Sequence, residues 1–286
     1  MPSPRRADVA LARFDLGRPE RWPLVMGIVN VTPDSFSDGG VFFDPEIATD
    51  AVLRMEAAGA AIVDIGGEST RPGSDPVSAG EEMRRVIPII QRVRERSAVP
   101  ISVDTRKAVV ARAALDAGAD LINDVSALRY DPEMAGVVRD SGVPVILMHM
   151  RGDPKTMQEE IRFDDLLGEI RAELGERRAA AIAAGIDPAK ILVDPGIGFG
   201  KTFDHNVEIL RGLGELASLG PIVVGASRKA FIGQLTGKSA GRPRMAGSLA
   251  AVAAAAVHGA AIVRVHDVAE TVDFLRVFAP VMGARR

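Results

Sequence analysis

The sequence predicts an α/β protein, a (β/α)8 TIM barrel built as a single domain with a short N-terminal extension. Eight short apolar runs rich in β-branched residues alternate with eight Ala-rich amphipathic segments, which is the rhythm of repeated β-then-α units. No break in composition interrupts the 286 residues, and a barrel of this kind takes about 250 residues. Six of the helical segments end at a glycine, as expected where a chain leaves a helix: Gly59, Gly118, Gly142, Gly185, Gly220 and Gly259.

The apolar runs are short and continuous, which is typical of parallel strands buried on both faces. They cover residues 24–29, 61–65, 101–103, 121–122, 145–148, 191–193, 222–224 and 261–265. The helical segments cover residues 45–58, 79–96, 107–117, 132–140, 163–184, 204–216, 246–258 and 268–278. Residues 1–21 form the extension and residues 22–286 the barrel domain. An open, doubly wound sheet of similar content is the alternative that the pattern leaves.

Composition excludes several classes of protein. Hydrophobic residues make up 47% and charged residues 26% of the chain, so a large core is available. The net charge of −3 offers no basic footprint, and we expect no nucleic-acid partner. With no cysteine there are no disulfides and no Cys-bound zinc. No apolar run is long enough to span a bilayer, and residues 1–21 lack the apolar core of a signal peptide. We therefore expect a cytoplasmic protein without membrane contact.

Polar side chains stand at or just after the end of every predicted strand. In a closed parallel barrel, these ends meet at one mouth, where active sites are found. The residues are Asn30, Asp64, Asp104, Asn123, His149, Asp194, Ser227, Lys229, Arg264 and His266. The sequence therefore predicts one polar site encircled by the carboxyl ends of the strands.

Other roles compete for some of these positions. Asp44 and Asp131 are typical of helix N-caps, and Asp267 has the same alternative. His149 lies in an apolar run, where a buried core histidine is at least as common as a ligand. His205 and His258 flank helical segments, and we expect both to be structural.

The polar residues differ in the ligand that each group suits. Asp104, Asn123 and Asp194 offer acceptors and an amide, which suit a flat heterocycle with donor nitrogens on one edge. Arg264, His266 and Asn30 suit an anion, because an arginine makes forked hydrogen bonds to phosphate or carboxylate oxygens. This division predicts a heterocycle that carries an anionic leaving group.

A glycine-rich segment, GIGFGKT at residues 196–202, resembles a phosphate-binding loop but fails its pattern. Pro195 occupies a position that needs glycine in a P-loop, and Lys201 occupies the third glycine position of the dinucleotide fingerprint. Neither an ATPase nor an NAD enzyme is supported. We expect these glycines to let the backbone approach a flat ligand closely.

Two long connections follow the first and second strands. Residues 32–40 are rich in turn formers and contain Phe36, and residues 68–73 place Arg71 beside Pro72. Solvated surface loops and lids that close over a substrate are both consistent with this composition.

These segments resemble the signatures of dihydropteroate synthases. MGIVNVTPDSFSDGG at residues 26–40 and DIGGESTRPG at residues 64–73 carry the resemblance. Further matches follow in order: SVDT at 102–105, LMHM at 147–150, PKTMQ at 154–158, DPGIGFGK at 194–201, SRK at 227–229 and RVH at 264–266. The matches cover essentially the whole chain after residue 22.

The resemblance implies a (β/α)8 barrel that joins a dihydropterin diphosphate to 4-aminobenzoate. Asp104, Asn123, Asp194 and Lys229 would bind the pterin ring, and Asn30, Arg264 and His266 the diphosphate, with Mg²⁺ near Asn30. Thr70, Arg71, Pro72, Phe199, Ser227 and Lys229 would border 4-aminobenzoate, and Phe36 and Asp38 would complete that site. Asp38, Asp104, Lys229, Arg264 and His266 are the catalytic candidates. The resemblance also implies a homodimer, formed through the late helices.

Two alternatives remain. One is a pterin-binding barrel that acts as a methyltetrahydrofolate–corrinoid methyltransferase. Such a protein should lack the two loop signatures and the Arg264–His266 pair. The other is a catalytically silent paralogue that binds pterin without turnover.

Overall fold

A computed structural model describes residues 22–31, 44–70, 73–153 and 155–283 of the chain. Eight parallel strands pair in sequence order, and β8 pairs with β1, so the sheet is a closed barrel. The strands are β1 (Leu24–Asn30), β2 (Ile62–Gly66), β3 (Ile101–Asp104), β4 (Leu121–Asp124), β5 (Val145–Met148), β6 (Ile191–Asp194), β7 (Ile222–Val224) and β8 (Ala260–Val265). The predicted barrel is confirmed, and the open sheet is excluded.

Nine α-helices within the described ranges surround the barrel. They are α1 (Pro45–Ala57), α2 (Ala79–Arg96), α3 (Ala108–Asp116), α4 (Met134–Ser141), α5 (Leu166–Ala183), α6 (Phe203–Arg211), α7 (Ala230–Thr236), α8 (Met245–Val257) and α9 (Val268–Val281). In the part of the chain that the structure describes, none of these helices combines the length and apolarity needed to cross a membrane.

Helix ends follow the sequence closely. The Asp44 carboxylate accepts from the backbone N–H of Glu46 at 2.8 Å, so its predicted capping role is confirmed. All six helix-end glycines have a positive φ, as predicted. His205 is structural as expected, because it forms a reciprocal capping box with Thr202 at the start of α6.

Two helical predictions were incomplete. The predicted helix over 204–216 ends at Arg211, and the 3-10 helix Leu213–Leu219 follows. The break lies at Gly212, where an added Cβ would stand 2.2 Å from a methyl carbon of Leu167. The short helix α7 lies between β7 and α8 and was not predicted, because its seven residues show too little periodicity.

The core has two layers. The outer layer lies between the strands and the helices and contains most buried apolar side chains. The inner layer fills the barrel with one or two residues from seven strands: Leu24, Met26, Ile62, Leu121, Ile146, Leu192, Val223 and Ile262. Strand alternation places the next inward residues two positions further on. The apolar inner layer is therefore the floor beneath the carboxyl ends of the strands.

Candidate active site

A hydrogen-bonded cluster of charged side chains lies directly above the apolar floor. Arg264 of β8 donates from Nε to Asp64 at 2.5 Å and from a terminal nitrogen to Asp104 at 2.9 Å. The side-chain amide of Asn123 donates to the same Asp64 oxygen at 3.0 Å. Asp64 is fully buried, and only 18% of the Arg264 side chain is exposed. The cluster joins β2, β3, β4 and β8 across the mouth.

The register of the strands places Asp104 and Asn123 side by side at the mouth. Asn30, Gly66, Asp104 and Asn123 are aligned across the first four strands. Gly66 leaves room for its neighbour, since a Cβ there would stand 3.2 Å from the Cβ of Asp104. A residue larger than glycine would therefore press on this carboxylate.

Asp64 belongs to the predicted ring of polar strand-end residues, but the sequence assigned it no binding or catalytic role. Its second carboxylate oxygen, Oδ1, is buried and has no hydrogen-bond partner among the described residues. An unpaired buried acceptor is costly unless a ligand donor reaches it. The available signal was alternation, because Asp64 lies two positions after the inward-facing Ile62. We therefore add Asp64 to the candidate site.

Burial controls the charge of the two candidate acids. It raises the pKa of Asp104 to about 7, while Arg264 opposes the rise and the neighbouring Asp64 adds to it. Burial also raises the pKa of Asp194 to about 6, against a hydrogen bond from the Gly196 backbone N–H at 2.7 Å. Burial disfavours charge on Arg264, but Asp64 and Asp104 outweigh it, so the Arg264 pKa is raised. The site therefore holds the buried cation of Arg264 together with Asp104 and Asp194, which can lose a proton near neutral pH.

Ser227 and His266 form a second group on the rim. The Ser227 hydroxyl accepts from the His266 backbone N–H at 3.2 Å and lies 3.1 Å from His266 Nδ1. Burial lowers the pKa of His266 to about 3, and the cations Arg228 and Arg264 lower it further. His266 is therefore neutral at pH 7 and free to bind an anion through an N–H.

The turn that carries Ser227 is fixed by its neighbours. Arg228 has φ +59 and pairs with Asp267 through two hydrogen bonds, of 3.0 and 2.5 Å. Its backbone N–H donates to Ser248 of α8 at 2.9 Å. Asp267 occupies the predicted N-cap position of α9, but its side chain makes no cap hydrogen bond. Its carboxylate instead holds the turn between Ser227 and Lys229.

Phe199 and Lys229 form a third group. The Lys229 ammonium lies 4.2 Å from the centre of the Phe199 ring, a cation–π contact. Phe199 packs against a buried apolar patch made of Val125, Met148, Met150 and Met157. An aromatic face beside a cation suits a flat ring that carries a carboxylate.

The remaining predicted residues are less connected. Asn30 and Thr70 make no hydrogen bond or ion pair with the other candidates within the described ranges. Phe36, Asp38, Arg71 and Pro72 lie outside the described residues, and their roles stay predictions. His149 is buried beside Lys201 rather than in the mouth cluster.

Comparison with known proteins identifies related chains. The model of the family described as pterin binding enzyme matches residues 26–266. A dihydropteroate synthase of Synechocystis sp. is 49% identical over 245 residues, which cover 85% of each chain.

Solved structures agree with the sequence relatives. The Xanthomonas albilineans dihydropteroate synthase with 4-aminobenzoic acid has a TM-score of 0.87 and 50% identity, covering 93% of this chain and 95% of that one. The same enzyme in complex with 7,8-dihydropteroate has a TM-score of 0.84 and 48% identity, covering 93% and 96%.

The raised pKa of Asp194 makes stability depend on pH. The unfolded carboxyl has a pKa of about 3.9, so between pH 4 and 6 the folded state binds more protons than the unfolded state. The free energy of unfolding should then fall as pH rises through this window. Relative to Asp194→Asn, the free energy of unfolding of the wild type should fall by roughly 2 kcal/mol between pH 4 and 7. Urea unfolding at several pH values measures this, with the exposed Asp50→Asn as control. If the free energy of unfolding changed with pH by the same amount in the wild type and in Asp194→Asn, the raised pKa of Asp194 would be contradicted.

Proposed function

The chain belongs to the dihydropteroate synthase family of pterin binding enzymes, and we propose on this basis that it condenses a dihydropterin methyl diphosphate with 4-aminobenzoate. The products are 7,8-dihydropteroate and diphosphate. The observation that carries the proposal is the buried cluster of Asp64, Asp104, Asn123 and Arg264 at the barrel mouth. The X. albilineans relative in complex with dihydropteroate supports it.

The pterin ring is assigned to the deepest part of the mouth. Asp104, Asn123, Asp194 and Lys229 are its proposed ligands, together with Asp64. The unpaired Asp64 oxygen supports this assignment, because a donor nitrogen of the ring would satisfy it. Met148 is the register partner of Asp194 in the sheet, and its side chain offers apolar surface beside the acids.

The diphosphate is assigned to Asn30, Arg264 and His266. Arg264 is already paired with Asp64 and Asp104. In this assignment it would bind the diphosphate while keeping both pairs. His266 would donate an N–H to a phosphate oxygen. A bound diphosphate would also favour protonation of His266, because an opposite charge nearby raises a histidine pKa.

The 4-aminobenzoate ring is assigned to Phe199, Lys229 and Ser227 on the rim. Thr70, Arg71 and Pro72 would border it from the loop after β2, and Phe36 and Asp38 from the loop after β1. The contact of Lys229 with Phe199 supports this part of the proposal. Lys229 would then stand between the two substrates.

The proposed reaction breaks one bond and forms another. The bond between the pterin methylene carbon and the diphosphate oxygen breaks, and its electron pair leaves with the diphosphate. The amine of 4-aminobenzoate attacks the resulting methylene cation and then loses a proton. Asp104 and Asp38 would stabilise the cation, and Arg264 and His266 the leaving diphosphate. Positioning and charge stabilisation supply the acceleration.

Mg²⁺ is the proposed cofactor. Within the described residues no group of three or more His, Cys, Asp or Glu side chains could hold a metal ion. This donor set fits a hard ion that takes one protein oxygen, from Asn30, and completes its shell with substrate phosphates and water. When bound, the ion would neutralise charge on the diphosphate.

The alternatives predict different outcomes. A methyltransferase of the pterin-binding class should lack the diphosphate pair of Arg264 and His266, and both residues lie at this mouth. A silent paralogue should bind the pterin diphosphate without turnover, and an assay separates it from an active enzyme.

A homodimer in the cytoplasm is also proposed. Five exposed large apolar side chains lie on or beside the last three helices: Leu235, Val257, Val277, Val281 and Met282. These exposed apolar side chains support an interface between late helices. Sedimentation equilibrium should give twice the mass of one chain, and a monomer at micromolar concentration would contradict the proposal.

A turnover assay tests the proposed function. Pterin diphosphate, 4-aminobenzoate and Mg²⁺ should give dihydropteroate with the wild type. Arg264→Ala should lower kcat/KM by about 100-fold or more, because it removes charge stabilisation of the leaving group. Arg242→Ala, which removes an exposed arginine paired with Glu270, is the matched control and should keep the wild-type rate. Tight binding without product would support the silent paralogue, and a wild-type rate in Arg264→Ala would remove this residue from the mechanism.

The cofactor proposal has its own test. A chelator should abolish turnover, and added Mg²⁺ should restore it. Asn30→Ala should need about tenfold more Mg²⁺ for half-maximal rate, because it removes the proposed protein ligand. An unchanged Mg²⁺ dependence in this variant would argue against Asn30 as a ligand.

A further inference from the structure

Lys201 is a buried cation that the proposed reaction does not use. It lies in the glycine-rich segment after β6, and only 3% of the residue is exposed. Its ammonium lies 2.9 Å from Nδ1 of His149 and donates to the backbone carbonyl of Phe199 at 2.9 Å. Burying a lysine is costly unless its charge is paired. These contacts therefore need an explanation.

A chain of polar contacts runs from Lys201 towards the surface. His149 Nε2 lies 3.1 Å from a carboxylate oxygen of Glu173 on α5. Arg151 donates to the other oxygen of Glu173 at 2.8 Å. The same guanidinium stacks 4.0 Å from the centre of the Phe163 ring. Glu173 is held by Arg151, and its carboxylate makes a close electrostatic contact with the imidazole.

One placement of protons fits these contacts, in which His149 Nε2 is close to Glu173 without meeting hydrogen-bond geometry. Burial lowers the pKa of His149 to about 4, so the ring is neutral at pH 7. With its proton on Nε2, the ring faces Glu173 with a donor and Lys201 with an acceptor. Lys201 then donates to both His149 and the Phe199 carbonyl. Asp194 and Glu173 favour its charge, whereas Arg151 and Lys229 oppose it, and burial lowers its pKa to about 7.

The backbone of the glycine-rich segment is docked against the loop after β5. Gly196 has φ +71, and a Cβ there would stand 1.9 Å from the carbonyl oxygen of His149. Gly200 has φ +60, and its Cβ would stand 2.9 Å from the carbonyl oxygen of Arg151. The backbone therefore lies close to the loop after β5 at Gly196 and at Gly200, and the Lys201 ammonium makes its contacts next to Gly200. Phe199 lies between the two glycines.

Phe199 links this tether to the substrate site, since its ring carries the contact with Lys229. We propose that Lys201, oriented by His149 and Glu173, is a positioning residue that fixes Phe199 and so determines the affinity for 4-aminobenzoate. The inference rests on the proposed function. Lys201 touches neither substrate in this proposal and acts through the Phe199 backbone.

The test compares Lys201→Met with Lys238→Met, a matched substitution of an exposed lysine. Lys201→Met keeps the length of the side chain and removes its donors. The KM for 4-aminobenzoate should rise about tenfold, while kcat changes by less than about threefold, which separates positioning from chemistry. The dissociation constant of the pterin diphosphate, measured by calorimetry, should change less than about twofold. Lys238→Met should match the wild type in all three.

Glu173→Gln provides a second variant at the outer end of the chain, where 33% of the side chain is exposed. It should raise the same KM by about threefold, because the imidazole loses its charged partner. If Lys201→Met does not fold, this variant decides the question. An unchanged KM, or an equal loss of affinity for both substrates, would overturn the inference while the wild type remains active. A wild type without turnover would instead reject the proposed function and, with it, the basis of this inference.

Discussion

Arg264 reaches across the barrel mouth from β8 to carboxylates on β2 and β3, and its charge is buried with theirs. Taking an ion pair out of water costs several kcal/mol per ion, and such a pair adds little to stability unless every partner is well placed. The apolar floor beneath the cluster offers no solvent to compensate. This arrangement therefore depends on the closure of the sheet, because only β8 beside β1 brings Arg264 near Asp64.

The same constraint organises the rest of the site. One Asp64 oxygen is left unsatisfied by the described residues, and burial, with a contribution from Asp64, raises the pKa of Asp104 to about 7. The donor groups of a ligand would satisfy the free Asp64 oxygen, and a delocalised positive charge on the ligand would pair with Asp104. Around this centre, Ser227 orients His266 on one side and the Phe199–Lys229 contact shapes the other. The polar cluster above the floor thus suits a heterocycle, and the rim suits an anion and a second ring.

The sequence predicted the barrel because its strongest signals are local. Each strand is a short apolar run, most of the helical segments end at a glycine, and most connections are short. The same locality explains the polar ring, since Asp104, Asn123 and Asp194 lie at or next to the ends of β3, β4 and β6. The strand ends extend one or two residues beyond the prediction in most cases, since a polar end residue does not interrupt backbone pairing.

What the sequence could not predict depends on contacts between distant positions. The pairing of Asp64 with Arg264 joins residues 200 apart in the chain, and no local pattern indicates it. Asp267 resembled a helix cap, but Arg228 holds its carboxylate instead. Lys201 lies in a segment that resembles a phosphate-binding loop, and only the fold brings His149 of the loop after β5 and Glu173 of α5 together with it.

The most direct test of the central claim is calorimetric binding of the pterin diphosphate to Asp64→Asn. This substitution preserves the shape of the side chain and removes the buried acceptor charge that the account assigns to the ring. The exposed Asp273→Asn is its control. The account predicts that Asp64→Asn weakens binding by about 10- to 100-fold, the loss expected for a hydrogen bond to a charged group, while Asp273→Asn does not. Unchanged affinity in a folded Asp64→Asn protein would contradict the claim that the cluster at the barrel mouth binds the pterin.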